Sequence, residues 1–312
     1  MANTTMFRLR RILIHVDTTS DRWPALTRGL RLAKQSGGAI RLVDVLAPEP
    51  WHTPKGRDLQ RLLKTTMKKR LTDAAARAKR AGVRCTVAML EGDVTEEMVR
   101  HSLKWRADLV LRSHGVSRAT PRPIGPTDSQ LLRRCPSAIW FVTPRQADGE
   151  TVVVAAVSPD PDDRERQDLA VRVAQAAIAV STATGASLQL VHGWTAYGHQ
   201  VLASHTSAAD LVQYVEACRE RARARIDALI RDAHIPDSVH VHLVQGESDQ
   251  VLSAFIKRRR ASLVVIGTVG RTGLAGLVVG NTAERILRSV RCSVLALKPA
   301  GFADAMLESR RE

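Results

Sequence analysis

The chain is 312 residues long, with 44% hydrophobic and 25% charged residues, which suits a folded protein of two domains of about 150 residues each. No apolar run approaches the roughly 18 residues of a membrane-spanning helix, and the N-terminus lacks the long apolar core and cleavage site of a signal peptide. A membrane span is therefore excluded, and we expect a cytoplasmic protein.

Positive charge is concentrated in the first half of the chain. The net charge is +16, and residues 1–150 hold 28 Lys and Arg against 14 Asp and Glu, whereas the remainder holds 19 against 17. A basic half of this size predicts a phosphate-rich partner: nucleic acid, an anionic surface or a nucleotide. Most of the charge lies in helical stretches such as residues 55–80, and we favour the interpretation that it solvates helix faces.

Neither the cysteines nor the histidines show the spacing of a metal site. The four cysteines are scattered and form no Cys-x-x-Cys pair, so buried free thiols are the favoured interpretation: Cys85, Cys135, Cys218 and Cys292. Three histidines fall near predicted strand ends without metal-ligand spacing: His15, His114 and His192. We predict no metal.

The first half is predicted to alternate short apolar strands with helices. Its first strand, Ile12 to Val16, ends at Asp17, and Gly37 closes the first helix. The later strands are predicted at residues 40–46, 83–90, 108–111 and 138–142. Helices are predicted at about residues 21–34, 57–81 and 95–105, with a short one before the fifth strand.

The second half repeats this order of elements. Its strands are predicted at residues 152–157, 188–192, 239–244, 263–266 and 293–297, and its helices at about 164–184, 208–233, 250–259 and 281–289. Pro144 and Gly149 mark a linker. The domains are therefore expected at residues 1–145 and 150–299, followed by a flexible charged tail at 300–312.

Continuous apolar strands that alternate with helices predict a parallel sheet covered on both faces. The fold class is α/β, with two tandem doubly wound, Rossmann-like domains of five strands each. Ligands in such sheets bind at the carboxyl ends of the strands. Asp17, the turn after Leu46 or His192, and the stretch that begins at Gly267 all fall at those ends.

A glycine-rich loop is the strongest sign of a binding site. Gly267 and Gly270 follow an apolar strand, and Gly280-Asn281-Thr282 opens the last helix. Glycines let the backbone approach an anion, and the first N–H groups of a helix point at it, so the loop predicts a phosphate site. The alternative is a plain connector in which Asn281 caps the helix and Glu284 completes the capping pattern.

The first half carries an altered copy of this loop. Residues 112–144 align without a gap on residues 267–299 at a constant offset of 155, which puts Arg112 where the first glycine belongs. Prolines in this copy, Pro121, Pro123 and Pro126, stiffen the loop and remove N–H donors. The Arg112 guanidinium is expected either to clamp an anion or to fill and close the site, and we favour closure.

The two loop copies and the domain order resemble the universal stress protein family, in its tandem UspE-like class. The resemblance rests on Gly267 to Gly273 with Gly280 to Glu284 in the second half, and on Pro126 to Asp128 with Leu131 to Ser137 and Trp140 in the first. It implies the five-stranded fold of that family, similar to the adenine-nucleotide α-hydrolases, in each half.

The resemblance also implies a site for ATP or a related adenine nucleotide in the second half. The residues that match the phosphate loop or its neighbours are Gly267, Thr268, Gly270, Arg271, Gly280, Asn281 and Thr282, with Val191 near the second strand. The first-strand aspartate of the family matches Asp17 in the other half, so in the second half this contact is expected either to be missing or to be supplied by Ser158 or Asp160. The matching residues of the degenerate N-terminal site are Asp17, Arg112, Gly115, Gly125 and Thr127.

Catalysis is not predicted, because no hydrolase elbow, Walker-type loop or metalloprotease helix motif is present. We expect a stress-response regulator that binds a phosphate-bearing ligand, with at most slow ATP hydrolysis. The alternative is a module that binds nucleic acid or an anionic lipid-like ligand through its basic first half. The family's habit of dimerising through last strands implies an internal pairing of residues 138–142 with 293–297. A homodimer of such chains is the second expectation.

Overall fold

The computed structural model describes residues 9–18, 20, 22–48, 53–114, 125–144, 151–268 and 281–302. Within these residues the chain forms ten strands and nine helices. The strands are β1 (Arg11–His15), β2 (Ala39–Leu46), β3 (Arg84–Glu91), β4 (Leu109–Ser113), β5 (Ala138–Val142), β6 (Val152–Ala156), β7 (Ser187–Trp194), β8 (His240–Gln245), β9 (Leu263–Gly267) and β10 (Ser293–Leu297).

Helices connect the strands in the order that the sequence predicts. They are α1 (Pro24–Ser36), α2 (Pro54–Arg80), α3 (Val94–Trp105), α4 (Pro126–Arg134), α5 (Arg164–Thr184), α6 (His199–Ala203), α7 (Ala208–Ala233), α8 (Ser248–Arg258) and α9 (Asn281–Ser289). The short helix α6 has no counterpart among the predicted elements, because five residues are too few to show a helical period.

Local signals fix the ends of several helices. The side chains of Thr53, Asp93 and Ser207 each accept a hydrogen bond from the backbone N–H three residues on, at the starts of α2, α3 and α7. Gly37 and Gly185 end α1 and α5 in the left-handed conformation, with φ of 64° and 70°. Both glycines stand at helix ends that the sequence predicts.

All ten strands belong to one sheet, in the order β3-β2-β1-β4-β5-β10-β9-β6-β7-β8. Every neighbouring pair is parallel except β5 and β10, which run antiparallel with Leu295 opposite Trp140. The predicted doubly wound α/β class is confirmed, and so is the predicted pairing of the last strands of the two halves. Because of this antiparallel pairing, the carboxyl ends of β1 to β5 and those of β6 to β10 lie at opposite edges of the sheet.

Two layers of helices cover the sheet. One core cluster joins one sheet face to α1, α2, α5 and α7, and a second joins the other face to α3, α4, α8 and α9. Strand residues alternate between the clusters; Ile12 and Ile14 face the first, and Leu13 faces the second. Among the described residues, no helix is both long and apolar enough to cross a membrane.

Side-chain contacts reinforce the join between the halves. Lys298, just after β10, is 4% exposed, and its Nζ donates to the carbonyl oxygens of Leu132 (2.5 Å) and Arg133 (3.3 Å) at the end of α4. A cation at a helix C-terminus satisfies carbonyls that lack intrahelical partners. Beside it, Phe302 packs against the core, so this first part of the predicted tail is anchored.

We predict that Lys298 makes the stability of the joined sheet rise in mild alkali. Burial lowers the pKa of Lys298 from 10.5 to about 8, so the folded protein releases this proton before the unfolded chain does. The stabilisation is complete above pH 10.5 and is lost as the pH falls through about 8. Relative to Lys298→Met, the free energy of unfolding of the wild type should gain about 3 kcal/mol across this window, measured by urea unfolding. A difference that stays constant with pH contradicts the prediction.

Candidate functional site

Main-chain hydrogen bonds at the strand ends show which residues of the two halves correspond. The N–H of Val16 donates to the Val43 oxygen (2.8 Å), and the N–H of Val157 donates to the Val191 oxygen (3.0 Å). These two bonds occupy the same place in the two sheets, just after β1 and β6. Asp17 therefore corresponds to Ser158, as the sequence alignment of the halves predicts.

The gapless alignment of the two loops is wrong by one residue at the strand end. The N–H of His114 donates to the Val142 oxygen (2.8 Å), and the N–H of Thr268 donates to the Leu297 oxygen (3.0 Å), so His114 corresponds to Thr268. Arg112 then corresponds to Ile266, not to Gly267. The loop of the first half is one residue shorter than the loop of the second half. The offset of 155 therefore holds only for the residues that follow the loop, and the sequence comparison missed this shift.

Strand pairing confirms this correction. Arg112 pairs with Phe141 in the first half, and Ile266 pairs with Ala296 in the second. Phe141 and Ala296 correspond, because the antiparallel pair β5–β10 is symmetric about Trp140 and Leu295. The residue in place of the first glycine is therefore Ser113.

Arg112 is held in a buried ion network in the first half. Its Nε donates to Asp128 Oδ1 (2.7 Å), and its Nη1 donates to His15 Nδ1 (3.0 Å). His114 Nδ1 lies 2.8 Å from the second Asp128 oxygen. Asp128 stands in the first turn of α4, where a carboxylate also meets the positive end of the helix dipole. These contacts hold the Arg112 guanidinium between Asp128 and His15 at the carboxyl edge of the first half, and closure of a site there stays a prediction.

Asp44 extends the network to β2. Its Oδ1 lies 3.4 Å from His15 Nε2, and its Oδ2 accepts from the hydroxyl (2.5 Å) and the N–H (3.1 Å) of Thr18. Because His15 Nδ1 accepts from Arg112, the His15 proton belongs on Nε2, facing Asp44. One chain of polar contacts therefore runs across β2, β1, β4 and α4.

Both carboxyl groups of the network are stabilised as anions. Burial by itself would raise the pKa of Asp128, but the His114 hydrogen bond and the Arg112 charge hold that pKa below its usual value of 3.8. Burial opposes ionisation of Asp44 in the same way, and His15 and Thr18 lower its pKa below 3.8. The carboxyl edge of the first half thus holds buried charged groups that balance one another.

Apart from a histidine in place of Asp44, the second half has small or apolar side chains at the positions of this network. The residues that correspond to His15, Asp44, Arg112, His114 and Asp128 are, in order, Ala156, His192, Ile266, Thr268 and Ala283. Ile266 and Ala283 pack in the same core cluster. Two apolar side chains of one core cluster therefore stand where the first half has the ion pair between Arg112 and Asp128.

Gly267 and Thr268 have structural roles at the end of β9. A Cβ on Gly267 would lie 2.6 Å from Leu169 Cδ2, so glycine lets α5 pack against the strand. Thr268 is 2% exposed, and its hydroxyl donates to the Leu297 oxygen (3.0 Å). These contacts explain both residue types without a ligand, and the ligand roles of the two residues remain predictions.

Ser158 and Asp160 follow β6 in different surroundings. Asp160 is paired with Arg225 from α7 (3.0 Å) and Arg166 from α5 (3.5 Å), whereas Ser158 is exposed. Of the two candidates for the aspartate-equivalent contact, Ser158 has the accessible side chain. In the first half, the carbonyl of Asp17 accepts from the N–H of Ser20 and from Trp23 Nε1, each at 3.1 Å, and closes the turn after β1.

The second strand of the second half continues further than predicted. β7 ends at Trp194, not at His192, so fully buried Val191 lies three residues inside the strand. Its carbonyl already accepts from Val157, which leaves Trp194 rather than Val191 at the edge. His192 Nδ1 lies 3.0 Å from the Val157 oxygen, and burial lowers the His192 pKa.

Several predicted site residues fall outside the described residues: Gly115, Gly270, Arg271 and Gly280. The backbone of Asn281 and Thr282 begins α9. In the first half, Gly125 precedes α4 and Thr127 is half-buried in its first turn. Glu284 Oε1 accepts from Arg133 Nε (2.8 Å) in the other half, and its capping role at the start of α9 stays a prediction.

The described side chains contain no group of three or more His, Cys, Asp or Glu residues arranged to hold a metal ion. In that part of the chain all four cysteines are free thiols. Burial raises the pKa of Cys85 to about 11 and that of Cys292 to about 12, so both remain protonated at neutral pH.

The profile of the universal stress protein family matches residues 8–143 and again residues 147–298. The chain belongs to the universal stress protein family. Two copies of the family's domain thus account for the ten-stranded sheet, and the family expectation from the paired loops is confirmed. Members of the tandem class resemble the chain over its whole length.

Two relatives illustrate this likeness. Universal stress protein E of Escherichia coli strain K12 is 25% identical over 305 residues, which cover 94% of this chain and 95% of that protein. Universal stress protein E of Photorhabdus laumondii is 23% identical over 312 residues, which cover 95% and 97%. The relatives therefore share the tandem arrangement of the universal stress protein domain.

Solved structures show the same fold at low identity. A functionally unknown protein of Pseudomonas aeruginosa PAO1 superposes with a TM-score of 0.77 at 20% identity, covering 98% of this chain and 99% of that one. A universal stress protein of Archaeoglobus fulgidus gives 0.63 at 18% identity, covering 92% and 98%. Both solved structures thus share the fold of this chain over nearly its whole length.

We predict that Arg112 and Asp128 can be replaced together with little loss of stability, whereas replacing Asp128 alone is strongly destabilising. Asp128→Ala leaves a largely buried guanidinium without its carboxylate and should lower the free energy of unfolding by about 3 kcal/mol. The double variant Arg112→Ile/Asp128→Ala copies Ile266 and Ala283 and should recover most of that loss. Urea unfolding followed by circular dichroism measures both. A double variant as unstable as the single one contradicts the prediction.

The same network predicts a response to acid. The pKa of Asp128 is lower in the folded protein than its usual value of 3.8, so its stabilisation is present above about pH 4 and is lost as the pH falls further. The wild type should therefore lose more unfolding free energy than Arg112→Ile/Asp128→Ala when the pH falls from 5 to 3, a range typical of carboxylate titration. Equal losses in the two proteins argue against a stabilised carboxylate.

Proposed function

We propose that this protein is a stress-response regulator that binds an adenine nucleotide, or a similar phosphate-bearing ligand, at the carboxyl edge of its second half. Binding would act as a signal, with no chemical turnover beyond slow ATP hydrolysis. The first half would hold no nucleotide. The two domains would therefore have different roles.

The observation that carries the proposal is the difference between the two carboxyl edges. In the first half, Arg112, Asp128 and His15 occupy the edge and satisfy one another. An anion entering there would displace Asp128 from Arg112 and leave a buried carboxylate without its partner. In the second half the corresponding side chains of Ile266, Ala283 and Ala156 carry no charge and form no such ion network, and the counterpart of Asp44 is His192, whose Nδ1 lies 3.0 Å from the Val157 oxygen.

The start of α9 supports binding of a phosphate at the second edge. The first N–H groups of a helix lack intrahelical partners and point out of its N-terminus, and in the sequence the glycine-rich loop leads directly into α9. The first half has Pro126 at the start of α4 instead, and proline has no N–H to offer. Ser158, exposed after β6, is the candidate contact for a ribose hydroxyl.

Fast catalysis would need a cation on the transferred phosphoryl group and a residue that positions the nucleophile. Lys298 lies after β10 but donates to α4 carbonyls at the join between the halves. Arg225 and Arg166 near β6 are paired with Asp160. These three cations are therefore already engaged, which favours binding over turnover.

The test compares two matched glycine variants. Gly280→Val places a branched side chain at the predicted phosphate contact, and Gly125→Val makes the same change at the corresponding position of the first half. A Cβ on Gly125 meets nothing within 4 Å, so this control should fold normally. Calorimetric titration with ATP, ADP, AMP and cyclic AMP should show binding to the wild type and to Gly125→Val. Gly280→Val should bind at least about tenfold more weakly.

Three outcomes would refute the proposal. The wild type shows no affinity for any of these nucleotides at millimolar concentration, or both variants lose affinity equally, or only Gly125→Val does. Gly267 is unsuited to this experiment, since a side chain there strikes Leu169 and would disturb packing as well as binding.

A further inference from the structure

Exposed large hydrophobic side chains are concentrated at two corresponding places on the molecule. Among the described residues there are seven, and all but Val87 lie on α2 or on the α6–α7 segment: Leu59, Leu62, Leu63, Tyr197, Val201 and Val212. Isolated exposed apolar residues are normal, but clusters at the same place in both halves indicate contact surfaces.

The first cluster lies in the N-terminal turns of α2. Leu59, Leu62 and Leu63 are spaced to share one side of the helix, and Leu62 is 64% exposed. Lys55 and Arg61 stand in the same turns and are also exposed. We call these five residues the α2 patch.

The second cluster lies where α6 meets α7. Tyr197, Val201 and Val212 are exposed, to 89%, 65% and 69%. Asp210 and Glu216 accompany them in the first turns of α7 and are exposed as well. We call these five residues the α6–α7 patch.

Two corresponding positions of the patches carry opposite charge, and within its own helix Arg61 also lies 3.3 Å from Asp58 and Glu216 lies 3.5 Å from Arg219. Core residues of the two helices match in spacing, Leu71 with Ile226 and Ala74 with Leu229, so Lys55 corresponds to Asp210 and Arg61 to Glu216. Over the whole helices, α2 holds ten Lys and Arg against two acidic residues, whereas α7 holds five against five. Opposite charges beside apolar surfaces make the patches complementary to each other.

The patches cannot meet within one chain. α2 and α7 pack on the same face of the sheet, because both contribute to the same core cluster. They cover strands in opposite halves of the sheet, and the antiparallel pairing of β5 with β10 puts their N-terminal ends at opposite sheet edges. A second copy can be turned face to face about a two-fold axis that runs parallel to the sheet and at right angles to the line between the two patches. In that arrangement each α2 patch meets an α6–α7 patch.

We propose that the protein forms a two-fold symmetric homodimer in which the α2 patch of each copy binds the α6–α7 patch of the other. Each contact buries leucines against the tyrosine and valines and sets Arg61 opposite Glu216. The contact occurs twice, since a two-fold interface is isologous. The α2 patch of one copy cannot bind the α2 patch of the other, because their positive charges would repel one another.

The connections before the two helices are consistent with this assignment. The second half has α6 between β7 and α7, and Tyr214 donates its hydroxyl to the Tyr197 carbonyl (2.7 Å), which anchors the start of α6 on α7. Residues 47–53, between β2 and α2, form a much shorter connection than residues 195–207. The N-terminal turns of α2 thus remain exposed where those of α7 carry an added helix.

Charge reversal tests the proposal by sedimentation velocity at low and high salt. The wild type should show a concentration-dependent dimer that weakens with added salt. Arg61→Glu and Glu216→Arg, each present in both contacts, should raise the dimer Kd about tenfold. The double reversal Arg61→Glu/Glu216→Arg restores opposite charges and should return the Kd to within about threefold of the wild type.

Lys79→Glu is the matched control, because it makes an equal charge change on α2 about 27 Å from Arg61 at the rise of an α-helix. It should dimerise like the wild type. Leu62→Glu should abolish the dimer while far-UV circular dichroism stays unchanged, as Leu62 is exposed.

Three results would overturn the proposal. The wild type stays monomeric at millimolar concentration in low salt, or Arg61→Glu behaves like Lys79→Glu, or the double reversal fails to restore the dimer. A monomer that binds anionic vesicles or nucleic acid through Arg61 would also overturn it and would assign the α2 patch to that partner. These results are independent of nucleotide binding, which is measured with the glycine variants.

Discussion

The antiparallel pairing of β5 with β10 is the constraint on which the rest of the molecule depends. Each half is a parallel five-stranded unit whose last strand would otherwise expose a row of unpaired backbone groups, and an exposed edge invites association with other chains. Joining the edges within one chain turns two small sheets into one. It also places the carboxyl ends of the first five strands and those of the last five at opposite edges of the sheet. These two carboxyl edges therefore face away from each other. Lys298 and the contact of Arg133 with Glu284 hold this join.

Most of the fold could be predicted from the sequence because its signals are local. Buried strands such as Ile12 to Ile14 are continuous apolar runs, and Gly37 and Gly185 mark helix ends by their left-handed conformation. The site was harder to predict, since its geometry depends on register. One residue fewer in the first loop moves Arg112 from the glycine position to that of Ile266, and pairing with β5 and β10 is needed to see it. The short helix α6 and the continuation of β7 to Trp194 likewise depend on tertiary packing.

The two halves show how a duplicated edge can take different physical states. Asp44 and Asp128 in the first half are buried carboxylates whose charge is balanced by neighbouring groups, which makes that edge rigid and self-sufficient. In the second half, Ile266 and Ala283 need no partners of that kind. A polar network fixes its members in one arrangement, whereas small apolar residues leave an edge free to accommodate something else. The asymmetry of the protein lies in this difference, more than in the glycines that first draw attention.

The buried pair of Arg112 and Asp128 also restricts how the first half can change over generations. Replacing either residue alone leaves a buried charge without its counterpart, an intermediate that is substantially less stable than either end state. Natural proteins stand only a few kcal/mol above unfolding, so such an intermediate is readily lost to selection. An edge closed by two mutually dependent charges therefore cannot be reopened in single tolerated steps. Once the pair is present, the two residues are therefore expected to be kept or replaced together.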